Sequence, residues 1–143
     1  AAEARVRSGD GPQATAAKPV TGETVLLVED NVQVRDVTAR RLKSLGYSVI
    51  ETESATAAIE VLRSGRPIDV VFSDVVMPGM SGFGLAKWVG ENRPDIRILL
   101  ASGFAEDVAR AGEAPAFELE VLRKPYSGTE LARSLRRAIE GKP

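Results

Sequence analysis

The chain of 143 residues contains neither cysteine nor histidine. Without cysteine it has no disulfide, no thiolate chemistry and no cysteine-ligated metal. Without histidine it has no imidazole base, no histidine metal ligand and no phosphohistidine of its own. Charge of one sign is also lacking, with 19 Lys and Arg against 20 Asp and Glu and a net charge of −1. That balance gives no reason to expect a nucleic-acid or membrane partner. No apolar stretch approaches the roughly 20 residues of a membrane span, and the N-terminus carries no signal-like apolar segment. A cytoplasmic, reducing location is the expectation. What is present, 43% hydrophobic and 27% charged residues, is the composition of an ordinary globule. The length implies one domain with a core that needs no covalent staples.

Residues 1–22, "AAEARVRSGDGPQATAAKPVTG", are small, polar and without a sustained apolar period. They read as a disordered arm or interdomain linker, which leaves residues 23–143 as the folded domain. There, short apolar runs alternate with helical patterns. "TVLLV" (24–28) is a buried strand. A helix follows over 31–46, with Val34, Val37, Leu42 and Leu45 expected near its buried face and Gly46 as its stop. "YSVIET" (47–52) is a second strand. Ala55, Ala58, Ile59 and Leu62 then give a helical stripe ending at Ser64 and Gly65. "IDVVFSD" (68–74) is the third strand, and "SGFGLAKWVGEN" (81–92) a helix weakened by two glycines, with Trp88 half-buried. "IRILLAS" (96–102) is the fourth strand, residues 104–114 a short helix, and "LEVLRK" (119–124) the fifth strand. Ser127 and Glu130 have capping-box spacing ahead of a stripe of Leu131, Leu135, Ala138 and Ile139. Five rounds of strand then helix, with near-continuous apolar strands, predict a parallel α/β sheet covered on both faces.

In such a doubly wound sheet, ligands bind beyond the C-terminal ends of the strands. Glu29 and Asp30 follow the first strand, Asp74 closes the third, Ser102 ends the fourth and Lys124 ends the fifth. Each has an ordinary explanation when taken singly. An acid pair favours a helix N-terminus, an aspartate caps turns, a serine before glycine is loop, and a lysine is a solvated charge. Their joint placement at four strand ends outweighs those explanations. Three crowded carboxylates repel one another, and a hard divalent cation relieves that repulsion. Oxygen-only ligands suit Mg²⁺. A lysine supplies a point charge for phosphate, a serine hydroxyl donates to a phosphate oxygen, and a carboxylate beside the metal can attack phosphorus. The pocket reads as phosphoryl transfer onto Asp74, with Glu29 and Asp30 as the metal pair.

"VLLVEDN", "DVVMPGMSG", "LLASG" and "LRKPYS", in this order and spacing, resemble the receiver domain of two-component response regulators. The resemblance covers residues 24 to about 140. It implies a flavodoxin-like (βα)5 sandwich with a five-stranded parallel sheet of order 2-1-3-4-5. It implies Asp74 as phosphoacceptor from a phosphohistidine on a histidine kinase or histidine phosphotransfer protein. Glu29, Asp30, Asp74 and the main-chain carbonyl of Val76 would hold Mg²⁺. Lys124 would pair with the phosphoryl group, Ser102 would be the switch hydroxyl, and Lys124–Pro125 would be the cis peptide usual in the family. One position departs from the pattern. The family usually has Tyr or Phe three residues before the lysine, where this chain has Val121. Phe104 then becomes the candidate switch aromatic, with output expected through residues 102–114.

The wording of three of these motifs resembles receivers at the C-terminus of hybrid sensor histidine kinases. The other setting is a stand-alone regulator, and a binding module that never takes phosphate is a third. Expected besides are a monomer, no turnover activity of its own, and no nucleic-acid or membrane contact. An aspartyl phosphatase would need an acid two residues after the nucleophile, where this chain has Val76. No glycine-rich phosphate loop follows the first strand, as a nucleotide fold would require.

Overall fold

A computed structural model describes residues 22–103 and 120–140. Five strands run parallel: β1 (Thr24–Val28), β2 (Ser48–Thr52), β3 (Val70–Asp74), β4 (Arg97–Ser102) and β5 (Glu120–Arg123). Their order is β2-β1-β3-β4-β5, the order of a flavodoxin-like sheet. Helices α1 (Val32–Ser44), α2 (Ala55–Arg63), α3 (Gly82–Asn92) and α4 (Gly128–Glu140) cover it. The helix expected over 104–114, with Phe104, lies outside the described residues, as does the 1–21 stretch of the expected arm.

Strand side chains alternate between the two faces, and in β1 both sets are apolar. Val25 and Leu27 join Leu42, Phe72, Leu99, Leu131 and Leu135 on the face under α1 and α4. Leu26 and Val28 join Ala58, Leu62, Val71, Leu85 and Val89 under α2 and α3. A strand apolar on both sides has to be covered on both sides, which is why the apolar runs of the sequence become a central parallel sheet. Trp88 lies half-buried at the edge of the second cluster.

Helix starts follow local chemistry. The side chains of Asn31, Ser54 and Ser81 accept from the amides of Val34, Ala57 and Gly84, satisfying donors that a first turn leaves unpaired. Ser127 and Glu130 form a reciprocal box, Glu130 N to Ser127 Oγ at 3.0 Å and Ser127 N to Glu130 Oε1 at 2.8 Å. Of the two glycines that weaken α3 on propensity, Gly82 is required by packing. A Cβ there would collide with the Asp74 carbonyl oxygen and stand 3.0 Å from Val75 Cα. Its amide donates to the Val75 carbonyl at 2.8 Å. The helix start is therefore pressed against the end of β3.

The buried face of α1 differs from the expectation. Val34 and Val37 are 43% and 52% exposed, while Thr38, Ala39 and Leu42 are buried and Leu45 is half-buried. Residues 35, 38, 39, 42 and 45 form the inward stripe, with the helical spacing of i, i+3, i+4, i+7 and i+10. Valine outranks threonine and alanine in hydrophobicity, so the sequence pattern points to the wrong face. The small side chains of Thr38 and Ala39 allow the helix to approach the sheet closely, and the valines are left facing outward.

Leu42→Ala is expected to lower unfolding stability by about 3 kcal/mol, and Val37→Gln to change it by less than about 0.5 kcal/mol. Urea unfolding followed by circular dichroism measures both, and equal losses would restore the valine face to the core.

Candidate functional site

Parallel strands end together, and the ends of β1, β3, β4 and β5 carry the site. Glu29 extends the β1 ladder by one bond, from its amide to the Thr52 carbonyl at 3.1 Å. Its side chain is turned back, with Oε2 accepting from the Asn31 amide at 3.1 Å. Asp30 follows on an exposed bend before α1. Asp74, the last residue of β3, is in register with Ala101 of β4. Carboxylate oxygens of Glu29, Asp30 and Asp74 lie within 4.8 Å of one another.

Ser102 is buried at the end of β4. Its carbonyl accepts from the Lys124 amide at 2.8 Å, which carries the β4–β5 ladder one residue past β5. Lys124 Nζ reaches Asp74 Oδ1 at 2.8 Å. The Lys124–Pro125 peptide is cis. Val76 is half-buried in the loop after β3. Val121, opposite Leu100 on β5, is 39% exposed, so the position where an aromatic switch is usual faces solvent here.

The electrostatics follow from this crowding. Burial raises the pKa of the Glu29 carboxyl, and repulsion from Asp74 and Asp30 adds to the rise, against the Asn31 amide and Lys124. Burial alone would depress the Lys124 ammonium, but its bond to Asp74 and the attraction of Asp74 and Glu29 outweigh this and raise it. Lys124 thus faces Asp74 and Glu29, and Asp30 adds a third acid beside them. The donor set of three carboxylates, with oxygens within 4.8 Å of one another and no nitrogen or sulfur among them, fits a hard divalent cation such as Mg²⁺.

Two neighbours escaped the sequence reading. Asn31 caps α1 and binds Glu29. Arg35 Nη1 donates to the Glu29 carbonyl at 2.9 Å. Their four-residue spacing, directly after an acid pair, is the signal that would have placed both beside the site. Next to Lys124 lies an open, mostly apolar groove of about 700 Å³ walled by Val34, Val37, Thr38, Arg41, Pro125 and Tyr126. The Tyr126 ring packs edge-on to Phe72 at 6.2 Å and lies 6.0 Å from the Arg41 guanidinium carbon.

Residues 25–136 match the family model described as the response regulator receiver domain. The sensor kinase CckA of Brucella abortus is 39% identical, with 94% of this chain and 15% of that protein covered. The response regulator receiver protein CpdR of the same organism is 29% identical over 80% of this chain and 95% of its own length. Among solved structures, a response regulator receiver protein from Sinorhizobium medicae superposes with a TM-score of 0.72 at 26% identity, over 85% of this chain and 97% of that one. The chain therefore spans a small part of the kinase and nearly all of the small regulator.

Because Glu29 is pushed above the ordinary glutamate value of about 4.3, its ionised form opposes folding. Relative to Glu29→Gln, the wild type should match at acid pH and fall behind as pH rises through the raised pKa. At neutral pH in EDTA, Glu29→Gln is expected to be more stable by about 1 kcal/mol, or about 4 °C in Tm. Thermal melts across this pH range check it, and a variant less stable than wild type at neutral pH would contradict it.

Proposed function

The chain belongs to the response regulator receiver domain family, and from that premise we propose that Asp74 accepts a phosphoryl group from a phosphohistidine carried by a histidine kinase or histidine phosphotransfer protein. The observation that carries the assignment to Asp74 is the convergence on it of two further acids, with carboxylate oxygens within 4.8 Å, and of the Lys124 ammonium at 2.8 Å. Glu29, Asp30, Asp74 and the Val76 carbonyl would hold Mg²⁺. When bound, this ion neutralises the crowded acids and the incoming phosphoryl oxygens.

This chain's residues do the rest. An Asp74 carboxylate oxygen attacks phosphorus in line. The phosphorus–nitrogen bond of the donor breaks, and its electron pair stays on the imidazole nitrogen, which takes up a proton. Asp74 gives up its charge on forming the acyl phosphate, and the phosphoryl oxygens stand farther out. Lys124 transfers from the carboxylate to those oxygens, and the Ser102 hydroxyl donates to them. That movement at the ends of β4 and β5 biases the adjoining surface between two arrangements. Ser102 is the switch, with Phe104 as the switch aromatic where Val121 cannot serve. The domain is a phosphoacceptor and monomer that works in the cytoplasm, with residues 1–22 as its linker and 23–143 as the receiver.

The favoured setting is the receiver of a hybrid sensor kinase, supported by the 39% identity to CckA over 94% of the chain. A stand-alone regulator is the second reading, supported by the match to nearly the whole of CpdR. In either setting the groove beside Lys124 receives the donor. Its exposed Val34 and Val37 suit the apolar face of a partner helix.

Intact mass after incubation with acetyl phosphate tests the assignment. Wild type should gain one phosphoryl group only with Mg²⁺, and Asp74→Asn none; a labelled Asp74→Asn would refute it. Lys124→Ala should still be labelled but show smaller amide shifts on phosphorylation, and wild-type shifts would remove its role. Val37→Glu should slow transfer from a phosphorylated histidine phosphotransfer protein at least about tenfold, roughly 1.4 kcal/mol, with acetyl phosphate labelling unchanged. Equal slowing with both donors would place the defect in the site instead of the groove.

A further inference from the structure

Arg35 sits in the first turn of α1 with its side chain only 17% exposed, on the inward stripe that α1 otherwise fills with Thr38, Ala39 and Leu42. A cation would weaken an acid cluster built for a metal ion if it competed for the carboxylates. Arg35 is differently engaged. Its Nη1 donates to the backbone carbonyl of Glu29 at 2.9 Å, and its Nε lies 3.7 Å from Oε1 of Glu51 on β2. The Glu29 amide is bonded to the Thr52 carbonyl at 3.1 Å. Both sides of Glu29 are therefore tied, and the peptide plane joining Glu29 to Asp30 is held by the guanidinium. That plane sets the directions in which two of the three carboxylates leave the chain. A planar guanidinium suits such a tie, because its fork fixes the direction of the bond to the carbonyl while the ion pair with Glu51 offsets its charge.

We propose that Arg35 is a positioning residue for the divalent-cation site, oriented by Glu51 and holding the Glu29–Asp30 peptide so that the two carboxylates converge with Asp74. This rests on the reading of those three acids as Mg²⁺ ligands. Removing a group that orients a metal ligand typically weakens metal binding about 10- to 100-fold. A residue that only joins α1 to β2 would lower stability and leave the metal affinity unchanged.

The test is calorimetric titration of the full chain with MgCl₂, beside melting curves in EDTA. Arg35→Met keeps the apolar stem and removes the donors. It should weaken Mg²⁺ binding about tenfold or more, with Arg35→Lys between it and wild type. An Arg35→Met that melts lower yet binds Mg²⁺ as wild type does would overturn the proposal. If Arg35→Met does not fold, Arg35→Gln decides by the same criterion. Wild type that binds no Mg²⁺, or Glu29→Gln that binds it equally well, would remove the metal-site reading beneath and the proposal with it. Weakening in Glu29→Gln but not in Arg35→Met would overturn the Arg35 role alone.

Discussion

Three carboxylates held within 4.8 Å of one another repel, and most of the local architecture around them exists to keep them there. Glu29 and Asp74 sit on backbone that the sheet has already immobilised, and Asp30 follows Glu29 directly. Glu29 continues the ladder beyond β1, and Asp74 is in register with Ala101. The Val75 amide binds the Ala101 carbonyl at 2.9 Å just beyond. Lys124 offsets part of the charge from the end of β5. The raised pKa of Glu29 records the cost that remains. A site arranged in this way gives up stability for a concentrated charge distribution, the one that the proposed cation and phosphoryl group would complete.

Helix α1 serves two ends. Its inward side carries small residues and Leu42, which bring it close to the sheet, together with Arg35 at its upper end, bonded to the acid loop. Its outward side keeps Val32, Val34 and Val37 in solvent. An apolar side chain on the surface contributes little to folding, so Val34 and Val37 are best understood through the groove they line with Pro125 and Tyr126. The close approach of α3 at Gly82 follows the same logic on the other face, where a residue poor in helix propensity is the one that fits against the Asp74 carbonyl.

The alternation of apolar runs with helical stripes made a parallel sheet covered on both faces readable before any coordinates, because strands apolar on both sides have few other arrangements; the strand order β2-β1-β3-β4-β5 was implied only by the resemblance to receiver domains. The stripe of α2 and the capping box of α4 hold as read. The α1 face does not. A pattern reading weighs hydrophobicity, whereas the sheet selected for size, burying Thr38 and Ala39 in preference to Val34 and Val37. The contacts of Asn31 and Arg35 run to the Glu29 side chain and carbonyl and to Glu51 on β2, so hydrophobic patterning does not mark them and only their spacing directly after the acid pair does.

The sequence by itself determined that this is a parallel α/β domain with acids, a serine and a lysine at four strand ends, since periodicity and strand boundaries are local properties. It also excluded histidine and thiolate chemistry outright. Only the tertiary structure decided that Glu29, Asp30 and Asp74 come within 4.8 Å, that Lys124 bonds Asp74, and which side of α1 faces the sheet. Those outcomes depend on register, on the distance at which a helix can pack, and on charges brought together from residues as far apart in the chain as 29 and 124. Their energies exist only once the strands are side by side.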